Sequence, residues 1–359
     1  GWTTMKIDPE IFQELGVRDP EETKREMAIS KRVRQVRKEL KSDPDNAELQ
    51  LELGSLFIDG GEFEDAIKQL KQIISRDNKN GLAYKLLGTA YGMSNHEDEA
   101  IRELTRATEL LREDSEIYFN LGGVFMLTDM FESAARCFRK VIELDPMDRL
   151  GYANLAAAYD VEKKYDEEVQ VLKKILMFSP EDIELRSALS TAYFNSEKYD
   201  DALNHALCVI ELDEKDPQAY CNLGSCYSAQ NMVDEAIKAF QKASEIDPDY
   251  SLPHTNLGSL YATVGRLEKA IKEFKLATSM NKGDALAWMN LYQCYKEVGR
   301  MEDAQEAYRT YEGILNQESQ GAASDHNNIP GGVVGTGQLA SGADLEAAAP
   351  GMEELESES

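Results

Sequence analysis

Leucine stands at positions 53, 87, 121, 155, 189, 223, 257 and 291, each 34 residues from the last, with no insertion or deletion between them. Self-similarity at a fixed period of about 20–50 residues means a stack of like supersecondary units. Such a unit cannot bury its apolar face alone, so neighbours have to stack into one continuous core. A chain of 359 residues built this way grows by adding units. Its length is therefore no argument for a second globular domain.

Other positions recur in the same frame. Gly54, Gly88, Gly122, Ala156, Ser190, Gly224 and Gly258 follow the leucine, and Tyr292 takes that place in the eighth copy. Three residues on come Phe57, Tyr91, Phe125, Tyr159, Tyr193, Tyr227, Tyr261 and Tyr295. Nine beyond them lies alanine, at 66, 100, 134, 202, 236, 270 and 304, with Glu168 in the fourth copy. The spacing within each half is helical and strict alternation is absent. Gly60-Gly61, Gly265 and Gly299 mark the break between two short helices. The small residues let two antiparallel helices approach closely, while leucine and the aromatic fill the seam.

Tyr84, Tyr118, Tyr152, Tyr220 and Trp288 stand at the fourth position, ahead of Leu-Gly, aromatic and alanine. Phe138, Phe240 and Phe274 and then Pro146, Pro180 and Pro248 complete the order. This pattern resembles the tetratricopeptide repeat, and eight copies fit from Ala47 to Glu318. The resemblance implies an all-α, right-handed superhelical solenoid of eight helix-turn-helix repeats, with the first helix of each pair lining a concave groove. It specifies fold far better than function, because one fold hosts many functions.

Around the array, residues 1–46 form an N-terminal segment with a capping helix expected at about 20–42, the repeats fill 47–318, and 319–359 form a tail. In the capping helix Met27, Ile29, Val33, Val36 and Leu40 recur at helical spacing. Its polar side is basic, with eight Lys and Arg against Glu26 and Glu39 between residues 24 and 41. Such a face is either a solvated one that balances an acidic array or a contact for a membrane or an acidic partner. The tail is rich in Gly, Ala and Ser, carries no Lys or Arg, and is expected to be disordered. Beyond the last repeat no further helix is expected, which leaves Tyr308, Tyr311 and Leu315 uncovered. Arg186, Ser190 and Ala206 in repeat five, with Glu168 in repeat four, depart from the pattern and predict either a softer middle or ordinary repeat drift.

A formal charge of −27 and a pI near 4.6 exclude a general nucleic-acid or membrane-surface binder, since phosphates would be repelled. No apolar run approaches the roughly 18–20 residues of a spanning helix. The first residues lack a basic-then-apolar leader pattern, so a cytoplasmic setting is expected. Cys137, Cys208, Cys221, Cys226 and Cys294 fall in predicted helices without a CxxC pair and read as small core residues.

No catalytic constellation is present. His96, His205, His254 and His326 are scattered, no HExxH pair occurs, and no GxxxxGK[ST] loop exists. The chain reads as no enzyme, with no cofactor and no metal site. What remains is the groove. The sixth position of each repeat holds Glu52, Leu86, Asn120, Asn154, Ala188, Asn222, Asn256 and Asn290. Asparagine has no helix-propensity reason to recur there. Its amide can pair with both the C=O and the N–H of one peptide unit.

The row resembles the asparagine ladder in the repeat region of O-linked N-acetylglucosamine transferase. That resemblance implies an extended partner segment held by its backbone at Asn120, Asn154, Asn222, Asn256 and Asn290. The other role open to these amides is bonding between neighbouring helices. Ala153, Ala157, Cys221, Ser225, Thr255, Ser259, Ala262 and Met289 are expected to line the rest of the groove. The Lys-x-x-x-Asn and Lys-x-x-x-Arg set of repeats that grip Hsp70 or Hsp90 C-termini is missing, because Thr89 follows Lys85 and Leu150 precedes Asn154 at that spacing. The expected function is a non-enzymatic scaffold binding a protein or peptide segment. A self-associating assembly protein acting through the array ends, and the substrate-selecting repeat region of a glycosyltransferase, are the alternatives.

Overall fold

The computed structural model describes residues 20–321, and the surroundings of side chains from 22 to 317. Among these residues are 17 helices and no strand. Helix α1 (Pro20–Ser42) comes first. Eight A helices follow: α2 (Ala47–Asp59), α4 (Gly81–Met93), α6 (Ser115–Leu127), α8 (Arg149–Val161), α10 (Ile183–Asn195), α12 (Pro217–Ala229), α14 (Leu252–Thr263) and α16 (Ala285–Glu297). Between them run the B helices α3 (Phe63–Arg76), α5 (Glu97–Leu110), α7 (Phe131–Leu144), α9 (Tyr165–Phe178), α11 (Tyr199–Leu212), α13 (Val233–Ile246), α15 (Leu267–Met280) and α17 (Met301–Gly321). This is the all-α helical solenoid that the 34-residue period demands. The chain divides into two compact units, Gly1–Glu162 and Lys163–Ser359. The first contains α1–α8 and the second α9–α17. Of the tail expected at 319–359, the first three residues continue α17, and residues 322–359 lie outside the described residues.

Each A helix begins at one place in the frame. Asn46, Asn80, Asp114, Asp148, Asp182, Asp216 and Asp284 accept a backbone N–H two or three residues on. A side-chain oxygen there satisfies one of the orphan donors at a helix start. The seventh residue in this frame is Tyr250, which cannot cap, and α14 starts a residue late without a side-chain cap.

Each A helix also ends at one place. Gly61, Asn95, Asp129, Lys163, Glu197, Asn231, Gly265 and Gly299 all have φ between +55° and +78°. The next N–H then reaches back to the aromatic, as from Glu62 to the Phe57 carbonyl at 2.7 Å and from Lys198 to that of Tyr193 at 2.9 Å. That is the left-handed helix end for which glycine is the natural residue. At Glu197 an L side chain bears a cost of about 1–2 kcal/mol in this conformation. Glu197→Gly should therefore stabilise the fold by about 0.5–1 kcal/mol after the added entropy of the unfolded chain. A higher urea midpoint at an unchanged slope is the expected readout, and a lower midpoint would contradict it.

Packing within each pair depends on size matching between the residue after the leucine and one on the B helix. A Cβ on Gly88 would lie 2.5 Å from Leu104 Cγ and 2.9 Å from the Leu104 backbone nitrogen. On Gly224 it would lie 2.6 Å from Phe240, and on Gly258 2.7 Å from Phe274. Repeat five reverses the sizes: Ser190 faces this seam, Ala206 occupies the position of Leu104, and Ser190 Oγ donates to the Ala202 carbonyl at 2.8 Å. Its departures from the pattern are thus matched to one another, which removes that ground for a softer middle. In the last repeat both residues are large, and the Tyr292 and Tyr308 rings sit 5.0 Å apart. Glu168 is buried within α9.

Helix α1 covers the outer side of α2. Val33 and Val36 are buried in the core of the first unit, and Ile29 and Leu40 pack against it. Arg32 donates to both oxygens of Glu52 at 2.5 and 2.8 Å, and Arg37 lies 5.4 Å above the Phe57 ring. The hydrogen bonds from Arg32 hold the Glu52 carboxyl below its ordinary range.

Candidate functional site

Successive A helices touch one another: α2, α4 and α6 in the first unit, and α10, α12, α14 and α16 in the second. The second, sixth, ninth and thirteenth residues of a repeat lie along one side of its A helix, because residues three and four apart share a face. This stripe is the candidate site. Its character differs between the units.

In the first unit it is largely apolar. Helix α4 presents Leu82, Leu86, Thr89 and Met93, α6 presents Glu116, Asn120, Gly123 and Leu127, and α8 presents Leu150, Asn154, Ala157 and Val161. Leu82, Met93, Leu127, Leu150 and Val161 are exposed, Leu150 at 58% and Met93 at 56%. Beside them Lys85 donates to Asp114 at 2.9 Å and to Glu116 at 2.5 Å. Burial works against the Lys85 charge, but the bonds to Glu116 and Asp114 outweigh it and hold the pKa above its ordinary value. This ammonium is neutralised by its own chain and is not free to grip a carboxylate terminus.

In the second unit the sixth and ninth positions are small or polar, while the second position holds Leu252 in α14 and Leu286 in α16. Helix α10 contributes Ala188 and Thr191, α12 Gln218, Asn222 and Ser225, α14 Asn256 and Ser259, and α16 Asn290 and Gln293. The fifth position reaches across to the start of the next A helix, as Thr255 Oγ1 does to Asp284 at 3.0 Å. One repeat earlier, Cys221 of α12 meets Tyr250 ahead of α14 in the same way. Tyr250 replaces the capping Asp or Asn because its long side chain folds back instead, and its hydroxyl donates to Gln218 Oε1.

The five asparagines do not form one uniform ladder. Asn120 Nδ2 donates to Thr89 Oγ1 on the preceding A helix at 3.0 Å, a bond between neighbours. Asn154 donates to the Leu150 carbonyl of its own helix at 2.8 Å. Asn222 has no accessible surface and accepts from Gln218 Nε2 at 2.9 Å. So enclosed, it is tied to its own helix through Gln218, which in turn accepts from Tyr250, while its Nδ2 has no hydrogen-bond partner among the described residues. Asn256 is buried with its Nδ2 enclosed and without an acceptor. Asn290, Asn120 and Asn154 are half-buried. Cys221, Ser225 and Thr255, expected to line the groove, are buried between helices instead.

Two features were missed in the sequence. The apolar stripe of the first unit was visible as Met93, Leu127 and Val161 at the thirteenth position of repeats two to four, with Leu82 and Leu150 at the second position of repeats two and four. The Tyr250 network was signalled by a tyrosine where every other repeat has Asp or Asn.

Burial raises the thiols of Cys137 and Cys294 to about 11 and that of Cys226 to about 12, which keeps them protonated and inert near neutral pH. Burial and then the Arg186 charge push His205 below its ordinary value. Among the described residues no group of three His, Cys, Asp or Glu is placed to hold a metal ion. Among them, too, no helix is long and apolar enough to cross a membrane.

Family models described as tetratricopeptide repeat match residues 26–107, 115–147, 217–250 and 239–272. The chain is a tetratricopeptide repeat protein. Among solved structures it is similar to the C-terminal part of a TPR repeat-containing protein from Cytophaga hutchinsonii. The TM-score is 0.52 at 15% identity, over 67% of this chain and 99% of that one. It also matches YrrB, described as a TPR protein with an unusual peptide-binding site, at a TM-score of 0.39 and 28% identity over 51% and 95% of the two chains. MamA matches at 0.39 and 22% over 46% and 97%. No curated protein matches the sequence.

Proposed function

We propose that this tetratricopeptide repeat protein is a non-enzymatic scaffold that holds an extended segment of a partner protein against the A helices. The first unit supplies the main contact. The observation that carries this reading is the exposed row Leu82, Met93, Leu127, Leu150 and Val161, which stand at the second and thirteenth positions of α4, α6 and α8 and present apolar side chains to water. Large apolar patches on soluble proteins mark interaction sites. Covering the exposed part of five such side chains is worth roughly 1 kcal/mol apiece, about 5 kcal/mol in all. A micromolar complex needs about 8 kcal/mol. Hydrogen bonds to the segment's backbone from half-buried Asn154, with Gly123 and Ala157 leaving room for it, supply the remainder. Asn120 contributes once its bond to Thr89 is exchanged, and Asn290 offers a second contact in the other unit.

A photo-cross-linking residue at Leu86, Leu127 or Leu150 should capture the same partner segment from each position. The same residue at exposed Arg106 on α5 should capture none. Cross-links that map to a different protein at each site, or appear equally at Arg106, would show that the stripe is not a specific groove.

A further inference from the structure

The inner side of α1, with Val33 and Val36, is buried on the repeats, and the opposite side remains open. On that side Lys31, Arg34, Lys38 and Lys41 recur three or four residues apart, all exposed and none ion-paired with a described residue. Met27, 61% exposed, extends the same stripe by one turn. From Met27 to Lys41 it runs about 21 Å at 1.5 Å per residue. Elsewhere the molecule is acidic: residues 24–41 hold eight of the 39 Lys and Arg of a chain with net charge −27. The segment from Asp344 to Glu358 contains six acidic residues, no Lys or Arg, and the apolar Leu345, Met352 and Leu355.

An acidic segment is repelled by most of this protein's surface and attracted to this one stripe. We propose that the outward face of α1 binds residues 344–358 of a second copy, so that copies associate head to tail. A heterologous contact of this kind adds copies in one direction. Met27 receives one of the segment's apolar side chains, and the four cations pair with carboxylates around it. The proposal concerns α1 and does not depend on the groove.

Sedimentation of the full chain at about 0.01 M and about 0.15 M salt reads the association, since the screening length falls from about 30 Å to about 8 Å between them. Assembly is expected at low salt and should weaken about tenfold or more at the higher. It should be lost in the chain carrying Lys31→Glu and Lys38→Glu, and in the milder Lys31→Gln, Lys38→Gln form. It should be lost equally when Asp344 and Glu346, Glu353, Glu354, Glu356 and Glu358 become their amides. Mixed light and heavy isotopic copies, joined by a carbodiimide, should give inter-copy links from Lys31, Lys38 or Lys41 to Glu353–Glu358. Links confined to a single copy, links only at other lysines, or assembly indifferent to both sets of substitutions would each overturn the proposal. So would α1-dependent binding to phosphatidylserine vesicles without any tail-dependent assembly.

Discussion

A chain that starts at Ala47 should lose the fold of its first repeat and aggregate. Val36 is completely enclosed and Val33 is 7% exposed in the contact between α1 and α2. Burial of a valine is worth about 1.5–3 kcal/mol, so these two alone contribute about 3–6 kcal/mol. Ile29 and Leu40 add to that, and the same deletion removes Arg32 from Glu52. Leu49, Leu53 and Phe57 would then face water. In a solenoid each unit is stabilised mainly by its neighbours, so the loss falls on α2 and α3 first. Hydrogen exchange should show protection lost there while α12–α16 retain theirs. Melting and monodispersity that both survive the deletion would mean that α1 is an appendage.

Substituting two helical glycines of the first unit should move stability in opposite directions. Gly88→Val places its branch against Leu104, where even a bare Cβ would come within 2.9 Å of backbone. Overpacking costs about 1–3 kcal/mol where side chains can give way, and here backbone cannot, so about 3 kcal/mol or more is expected. Gly123 in α6 has nothing within 4 Å of an added Cβ. Gly123→Ala should stabilise by up to about 1 kcal/mol through helix propensity alone. Urea unfolding of both variants checks the pair, and a neutral Gly88→Val would show that α4 and α5 are less tightly apposed than the structure has them.

The frame of the fold was legible because leucine, glycine and the aromatic mark a seam that every repeat must build in the same way. Boundaries were legible where glycine marks the break: Gly61, Gly265 and Gly299 each end an A helix in the left-handed region. Glu197 shows the limit, since no side-chain preference places a glutamate at positive φ, and the tertiary turn imposes it. The candidate site was less legible. Period placed all five asparagines at one register, but exposure at a register depends on neighbouring side chains. Asn222 is enclosed because Gln218 bonds it and Tyr250 reaches over from the next repeat. Asn154 has beside it the exposed Leu150 and remains half-open. Whether a recurring residue is a ligand contact or a strut is decided by such pairs, which one repeat frame does not reveal.

The affinity of the segment captured by cross-linking, measured for the native chain and for one with Leu82→Asp, Leu127→Asp and Leu150→Asp, tests the scaffold reading most directly. These residues are exposed, so helicity and melting should hold, while each carboxylate puts a charge where an apolar contact is needed. A loss of about 100-fold or more, near 3 kcal/mol, is expected. Equal affinity in two equally folded proteins would contradict the account and place the partner elsewhere on the solenoid.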